Sequence, residues 1–293
     1  MIINQTSLTG MYKSFSTIFS KAYTEAPSQW EQVAMMVKGV GRSTHYGWLG
    51  AFPSMKEWVG DRIVKDLSLF QYEIVNKNYE STVEVNRNDL EDDQIAVYTP
   101  MVQGLAQAAK QHPDTLIFEL LQGGFATACY DGQYFFDTDH PVGSTSVSNT
   151  GGGSGTDWYL LDLSRPIKPL ILQMRQKPKF TALDRPEDEH VFMRRMYRYG
   201  VDDRKNVGFG LWQLAYGSKD TLNATNYAAA RAAMMAFKND AMRPLGIMPT
   251  HLVVPPSLES AAREILEVDR LASGAGNPWY KTAKPIVTPF LAA

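Results

Sequence analysis

YTPMVQGLAQAAKQHPDTLIFELL, residues 98–121, is the longest helical pattern in the chain. Val102, Leu105, Ala109, Leu116, Ile117 and Leu120 recur at spacings that place them on one side of a helix. Pro113 interrupts the pattern. Because it lacks a backbone donor and crowds the preceding turn, it either kinks one helix or divides two.

On the N-terminal side lie two strand-like runs, FQYEIVN (70–76) and YESTVEVNR (79–87); Val83 and Val85 alternate with polar residues, as in a half-buried strand. NDLEDD (88–93) lacks the Asp-x-Asp-x-Asp-Gly loop and distant Glu of a calcium site, and reads as a solvated helix start. Ser54 and Glu57 form a capping-box pattern opening a helix through Trp58, Ile63 and Leu67. Residues 39–53, GVGRSTHYGWLGAFP, have no lasting periodicity and read as a long excursion. Residues 8–23 set Leu8, Met11, Tyr12, Phe15, Ile18, Phe19, Ala22 and Tyr23 along one helix face. Periodicity alone favours docking of that face on the chain's own core; the alternative is an arm lying on a neighbouring subunit.

On the C-terminal side, GSTSVSNTGGGSGT (143–156) is too small and polar to pack and is expected to form a mobile loop. The chain resumes with a strand-like DWYLLDLSRPIKPL. Residues 173–212 interleave Arg194, Arg195, Arg198, Arg204 and Lys205 with Phe192, Tyr197 and Tyr199, which would suit a single-stranded nucleic acid. Glu187, Asp188, Glu189, Asp202 and Asp203 cancel most of that field, so a β-rich segment with paired surface charges is the better reading. Helices are expected over about 223–241 and from Ser257 to about Val268, with a buried strand, IMPTHLVVPP, between them.

The 293 residues carry a formal charge of −2, which argues against a broad nucleic-acid-gripping face. No run of eighteen apolar residues is present to span a membrane, and MIINQTSLTGMYKSF lacks the pattern of a signal peptide. A single cysteine, Cys129, excludes an internal disulfide and a cysteine-based zinc cluster, and suits folding in a reducing cytoplasm. The supply of Tyr, Phe, Met and Trp tilts the reading towards an interface-rich protein.

Asp137, Asp139 and His140, in YFFDTDHPVG (134–143), form the strongest apparent chemical constellation, and a metal-dependent hydrolase built on them is the rival reading. A catalytic metal needs three or more ligands converging from rigid elements, and adjacent residues diverge in direction. A turn explains the stretch more simply, with the Asp side chains bonding backbone donors and Pro141 holding His140 extended. Cys129 has no sequence-local His or basic partner, GGGSG is not a phosphate-binding loop, and His45, His112, His190 and His251 are scattered singly. The residues support no enzyme, no catalytic or metal site and no cofactor.

The ordered series APSQW, YGWLGAFPSMKEWVGDR, NKNYESTVEVNRNDLEDD, CYDGQYFFDTDHPV and WYLLDLSRPIKPLI resembles the major head subunit of Mu-like phages and prophages, over about residues 8–285. The resemblance implies an α+β chain with the Hong Kong 97-type major capsid fold. Carried onto this sequence, 1–36 would be the N-terminal arm and 37–78 the extended loop. Residues 79–125 would be the peripheral domain with its spine helix at 98–121, making Pro113 a kink; 126–262 would be the axial domain and 263–293 a return to the peripheral domain. The implied function is self-assembly into pentamers and hexamers of an icosahedral tailed-phage shell enclosing double-stranded DNA without sequence-specific binding. Implied partners are further copies of the chain, a scaffold and maturation protease, and the portal, with assembly in the bacterial host cytoplasm and a final place in the virion capsid. No fused scaffolding segment is visible, which suits separate scaffold and protease or a mature sequence. Tyr12, Phe15 and Phe19 of the arm and Trp48, Leu49, Phe52 and Trp58 of the loop are the expected inter-subunit contacts. Lys56, Lys65 and Lys77 lie in the loop region, but no motif singles one out for a covalent cross-link, and none is expected.

Overall fold

The computed structural model describes residues 5–49, 72–92, 95–185, 188–271 and 273–292. Its organising element is a single helix, α4 (Thr99–Gln122), which runs unbroken through Pro113, so of the two readings left open at that proline the single helix holds. At 1.5 Å per residue it is about 36 Å long. Pro100 sits in its first turn, where a missing N–H costs little. The helix serves two hydrophobic cores: Val102, Leu105, Ala106 and Ala109 belong to one, and Ile117, Phe118 and Leu121 to the other. Asp114, buried beside Pro113, accepts bonds from Ser28 Oγ (3.1 Å) and from the backbone N–H groups of Gln29 (2.9 Å) and Trp30 (2.6 Å), at the start of α2 (Trp30–Val33).

The first core lies between α4, α1 (Gln5–Glu25) and a four-stranded sheet ordered β1 (Ala34–Lys38), β9 (Leu170–Leu183), β10 (Met196–Phe209) and β4 (Lys77–Asn86). β9 and β10 form a long antiparallel pair whose register shifts between Asp202 and Lys205. The short α5 (Glu189–Arg194) stands at the end where they join, and α3 (Arg87–Glu91) follows β4. Leu8, Met11, Phe15 and Phe19 of α1 pack against Phe180, Tyr197, Tyr199 and Val201 of the sheet. Periodicity placed this stripe correctly, and burial decides between its two readings. Phe15 and Phe19 are spent on their own subunit and offer no surface to a neighbour, a correction to their reading as inter-subunit contacts.

The second core surrounds a five-stranded sheet, β13 (Lys284–Val287), β12 (His251–Val254), β8 (Trp158–Leu161), β11 (Ala215–Lys219) and β7 (Thr150–Gly153). It is flanked by α6 (Ala224–Met235), capped by the Asn223 side chain, and α7 (Glu259–Leu266). The described residues also form two small antiparallel pairs: β2 (Ser43–His45) with β3 (Glu73–Val75), and β5 (His140–Val142) with β6 (Thr145–Val147). The capping box at Ser54 lies outside the described residues.

One further expectation is corrected. Residues 143–156 are not an unpacked loop, because they supply β6 and β7, and β7 runs parallel to β11. The small residues there permit close backbone approach. A Cβ on Gly151 would sit 2.5 Å from Ser218 Oγ, and one on Gly153, at φ +92°, would sit 2.4 Å from the Lys219 carbonyl oxygen. The cores draw on segments distant in the sequence. The distal half of the β9–β10 pair packs with α1 and α4, and β13 completes the sheet that contains β12.

Candidate functional site

The turn at Cys129–Tyr134 folds back on itself: the Cys129 N–H donates to the Gln133 carbonyl (2.8 Å), and Ala128 bridges Tyr134. This places Asp131 beneath His140 at the start of β5. Asp131 Oδ2 is 2.8 Å from His140 Nδ1, while Asn149 Oδ1 lies 3.2 Å from His140 Nε2. Asn149 is held in that orientation because its Nδ2 donates to the Phe135 carbonyl (2.8 Å) and its Oδ1 also accepts from the Asp137 N–H (2.9 Å). Both ring nitrogens of His140 therefore face oxygen atoms, Asp131 on one side and Asn149 on the other. Burial acts to raise the Asp131 pKa, but the bonds from His140 and Cys129 and the imidazolium charge outweigh it and hold the carboxyl below its ordinary value.

Cys129 Sγ, Asp131 and His140 bring their ligand atoms within 4.8 Å of one another, the one such group among the described residues. Its chemistry does not fit a metal. Burial, then the Asp131 charge, pushes the Cys129 thiol far above its ordinary pKa, so it stays protonated and donates to Asp131 Oδ1 (3.0 Å). A metal ligand must be a thiolate, and here every ligand atom already serves a neighbour. The cluster locks the 129–149 turn onto Trp212.

Among the three residues singled out from sequence, only His140 joins this cluster. Asp137 behaves as the turn reading requires, accepting from the N–H groups of Tyr134 (3.1 Å) and Thr138 (2.7 Å). Asp139 is exposed, and among the described residues no backbone donor reaches its side chain; its own carbonyl accepts from Gln133 Nε2 (3.4 Å), so the expectation for Asp139 is corrected. The hydrolase reading fails because the three side chains do not converge. Asp131, Asn149 and Trp212 went unrecognised because nothing local in the sequence marks them as partners of His140.

Surfaces are the other candidate. Of the expected contact residues, Tyr12 is half-buried, stacked on Phe180 and donating its hydroxyl to the Phe180 carbonyl (3.2 Å). Leu49 is fully buried in its own core, a correction, while Trp48 is half-buried edge-on to Tyr46. Phe52 and Trp58 lie outside the described residues. Sequence reading did not single out as a contact the most exposed aromatic among the described residues, Phe192. Phe192 and Met193 of α5 are 81% and 70% exposed, and Leu183 at the end of β9 is also exposed. Met36 and Val40 are exposed on and just beyond β1, an edge strand of the four-stranded sheet. Grouped apolar surface of this kind marks association sites.

Comparison with known proteins gives a consistent result. Residues 8–291 match the family model described as Mu-like prophage major head subunit gpT. The chain is 45% identical over 269 residues to the Mu-like prophage FluMu major head subunit of Haemophilus influenzae, covering 88% of this chain and 87% of that protein. It is 41% identical over 285 residues to the major capsid protein of Escherichia phage Mu, covering 94% and 93%. Among solved structures, a chain of the bacteriophage JBD30 procapsid superposes with a TM-score of 0.88 at 46% identity, covering 98% of this chain and 100% of that one. A chain of the JBD30 capsid gives 0.81 at 34% identity, covering 99% and 100%.

Proposed function

The chain belongs to the Mu-like prophage major head subunit family and is a major capsid protein with the Hong Kong 97-type fold; we propose that its copies form the pentamers and hexamers of an icosahedral tailed-phage shell around double-stranded DNA. Its relatives are structural proteins, not enzymes, and its place is the virion capsid, where it associates with itself.

The observation that carries the finer reading is the match along nearly the whole chain to subunits taken from assembled shells. The better superposition on the procapsid chain supports assigning this conformation to the shell before maturation. We assign the core formed by α1, the first half of α4 and the distal β9–β10 pair to the peripheral domain, and the five-stranded sheet with α6 and α7 to the axial domain. Within the shell, Tyr12, Trp48, Phe52 and Trp58 contact neighbours, joined by the apolar tip at Leu183, Phe192 and Met193. Each contact can be modest, because closed symmetric assemblies add many of them. A formal charge of −2 suits a wall that contains DNA and releases it. Scaffold, maturation protease and portal are the further partners, and assembly takes place in the bacterial host cytoplasm.

Negative-stain microscopy of the expressed protein tests this. Closed shells or rings of five and six are expected. A monodisperse monomer or small oligomer at all concentrations, with scaffold supplied, would overturn it.

A further inference from the structure

Three reverse turns around the second core are built alike. In each, a backbone N–H donates to the carbonyl four residues on: Cys129 to Gln133 (2.8 Å), Asn239 to Arg243 (2.9 Å) and Leu271 to Ala275 (2.8 Å). One step further out, bridges join Ala128 with Tyr134, Lys238 with Pro244, and Arg270 with Gly276. This is the three-residue hairpin loop whose last position is left-handed. There φ is +88° at Gly132, +57° at Met242 and +82° at Gly274.

A Cβ at Gly132 or Gly274 would meet nothing within 4 Å, so glycine serves those two turns through its backbone freedom and not through its size. Met242 holds the equivalent position with a side chain that strains it. That side chain is 52% exposed, so packing within its own chain does little to offset the strain. Strain kept at an exposed apolar residue points to a contact made outside the chain. Met235, at the end of α6, and Met248, before β12, are exposed on either side of the hairpin in sequence. Around Met242 the hairpin carries Lys238 and Arg243 against Asp240.

A second apolar surface of this core has the opposite balance. Val268, Leu271 and Tyr280 are exposed just beyond α7. Glu267 pairs with Arg263, which leaves Glu264 and Asp269 against Arg270. The two surfaces are separate. Phe237 anchors the Met242 hairpin edge-on to Trp212, just before β11, whereas α7 lies against β12 and β13 on the other side of β8.

We propose that the Met242 hairpin of one copy packs on the Val268, Leu271 and Tyr280 surface of the next copy, head to tail around each pentamer and hexamer. The inference rests on the reading of the chain as the subunit of such rings. Two different patches of one chain, joined in this way, generate closed rings, which a self-complementary patch does not. The opposed charge balances favour this pairing over hairpin against hairpin. Methionine also suits a contact that must serve two ring sizes, because its unbranched thioether repacks at little cost when the angle between copies changes.

Three measurements test the contact, the last two on shells already seen by microscopy, so that their failure is separate from a failure of assembly. Met242→Gly relieves the left-handed strain and should raise the melting temperature of the unassembled subunit by about 2 °C, while lowering shell yield; a merely structural residue would not move the two in opposite directions. Peroxide should oxidise Met242 at least about tenfold more slowly in shells than in the subunit. Diamide should link shells of the Met242→Cys/Leu271→Cys double variant into ladders ending at five and six chains on a denaturing gel, with the parent a single band because Cys129 is buried. A Met242→Gly subunit no more stable than the parent, unchanged shell yield, or equal oxidation of Met242 in shells and subunit would overturn the proposal. So would ladders ending at two chains, or no ladder with Met242 protected, which would place a different partner on the hairpin.

Discussion

His140 lies flat on Trp212, with ring centroids 4.0 Å apart and planes 11° from parallel. The contact joins the start of β5 to the segment just before β11, 72 positions along the chain. An imidazole stacked on an indole face, with Asp131 at its edge, makes a buried polar lock.

Replacing His140 with Leu leaves the Asp131 carboxylate buried without its ring partner. Loss of one partner of such a pair costs about 3–5 kcal/mol. Urea denaturation of the unassembled subunit checks this, and a loss below about 1 kcal/mol would show that no buried ion pair exists there.

The same pair sets a pH dependence. Asp131 has a folded pKa below its unfolded value of 3.8, so its contribution is fully present above that value and is lost as pH falls through the folded one. Asp114 works the other way: burial raises its pKa despite three hydrogen bonds, so acidification protonates it preferentially in the folded state. Urea midpoints followed from about pH 5 to pH 2 should fall less steeply in Asp131→Asn than in the parent and more steeply in Asp114→Asn.

Adjacent glycines in the GGG run should differ sharply. Gly153→Ala forces a side chain at φ +92° into the Lys219 carbonyl, whereas a Cβ on Gly152 meets nothing nearer than Asp220 Oδ1 at 4.0 Å. A loss of about 1–3 kcal/mol is expected for Gly153→Ala, and under about 1 kcal/mol for Gly152→Ala. Thermal melts of the two variants side by side decide it, and equal losses would remove the close-approach account of β7.

Phe15 and Phe192 should separate folding from assembly. Phe15→Ala empties a fully buried site packed edge-on against Tyr199 at 5.0 Å, and should cost about 3–5 kcal/mol of subunit stability. Phe192→Ser removes an exposed ring and should leave the subunit's melting temperature within a degree or two while reducing shell yield. Shells at normal yield from Phe192→Ser would exclude the α5 tip as a contact.

The absence of a covalent cross-link is checked by denaturing electrophoresis of assembled shells. A single band near 32.8 kDa is expected, and a ladder would show that lysines such as Lys77 join subunits.

Local physics wrote much of this protein legibly in its sequence. The 3.6-residue recurrence from Val102 to Leu120 produced α4, alternation around Val83 and Val85 produced β4, and the alanine-rich run expected to be helical from about 223 holds α6. The ordered segments also identified the family, and the chain's face for α1 was readable from spacing alone. What periodicity carries no information about is the partner. A stripe such as Met11–Phe15–Phe19 has the same pattern whether it docks on its own α4 and Phe180 or on another chain, and only the buried area in the folded state decided for its own core. The small, polar 143–156 segment looked unable to pack because its pairing strand, β11, lies some 65 positions away, where local composition cannot register it. His140 likewise joined a buried polar cluster only when Asp131, Asn149 and Trp212 closed around it, since a side chain's partners are neighbours that chain topology brings together and sequence spacing does not.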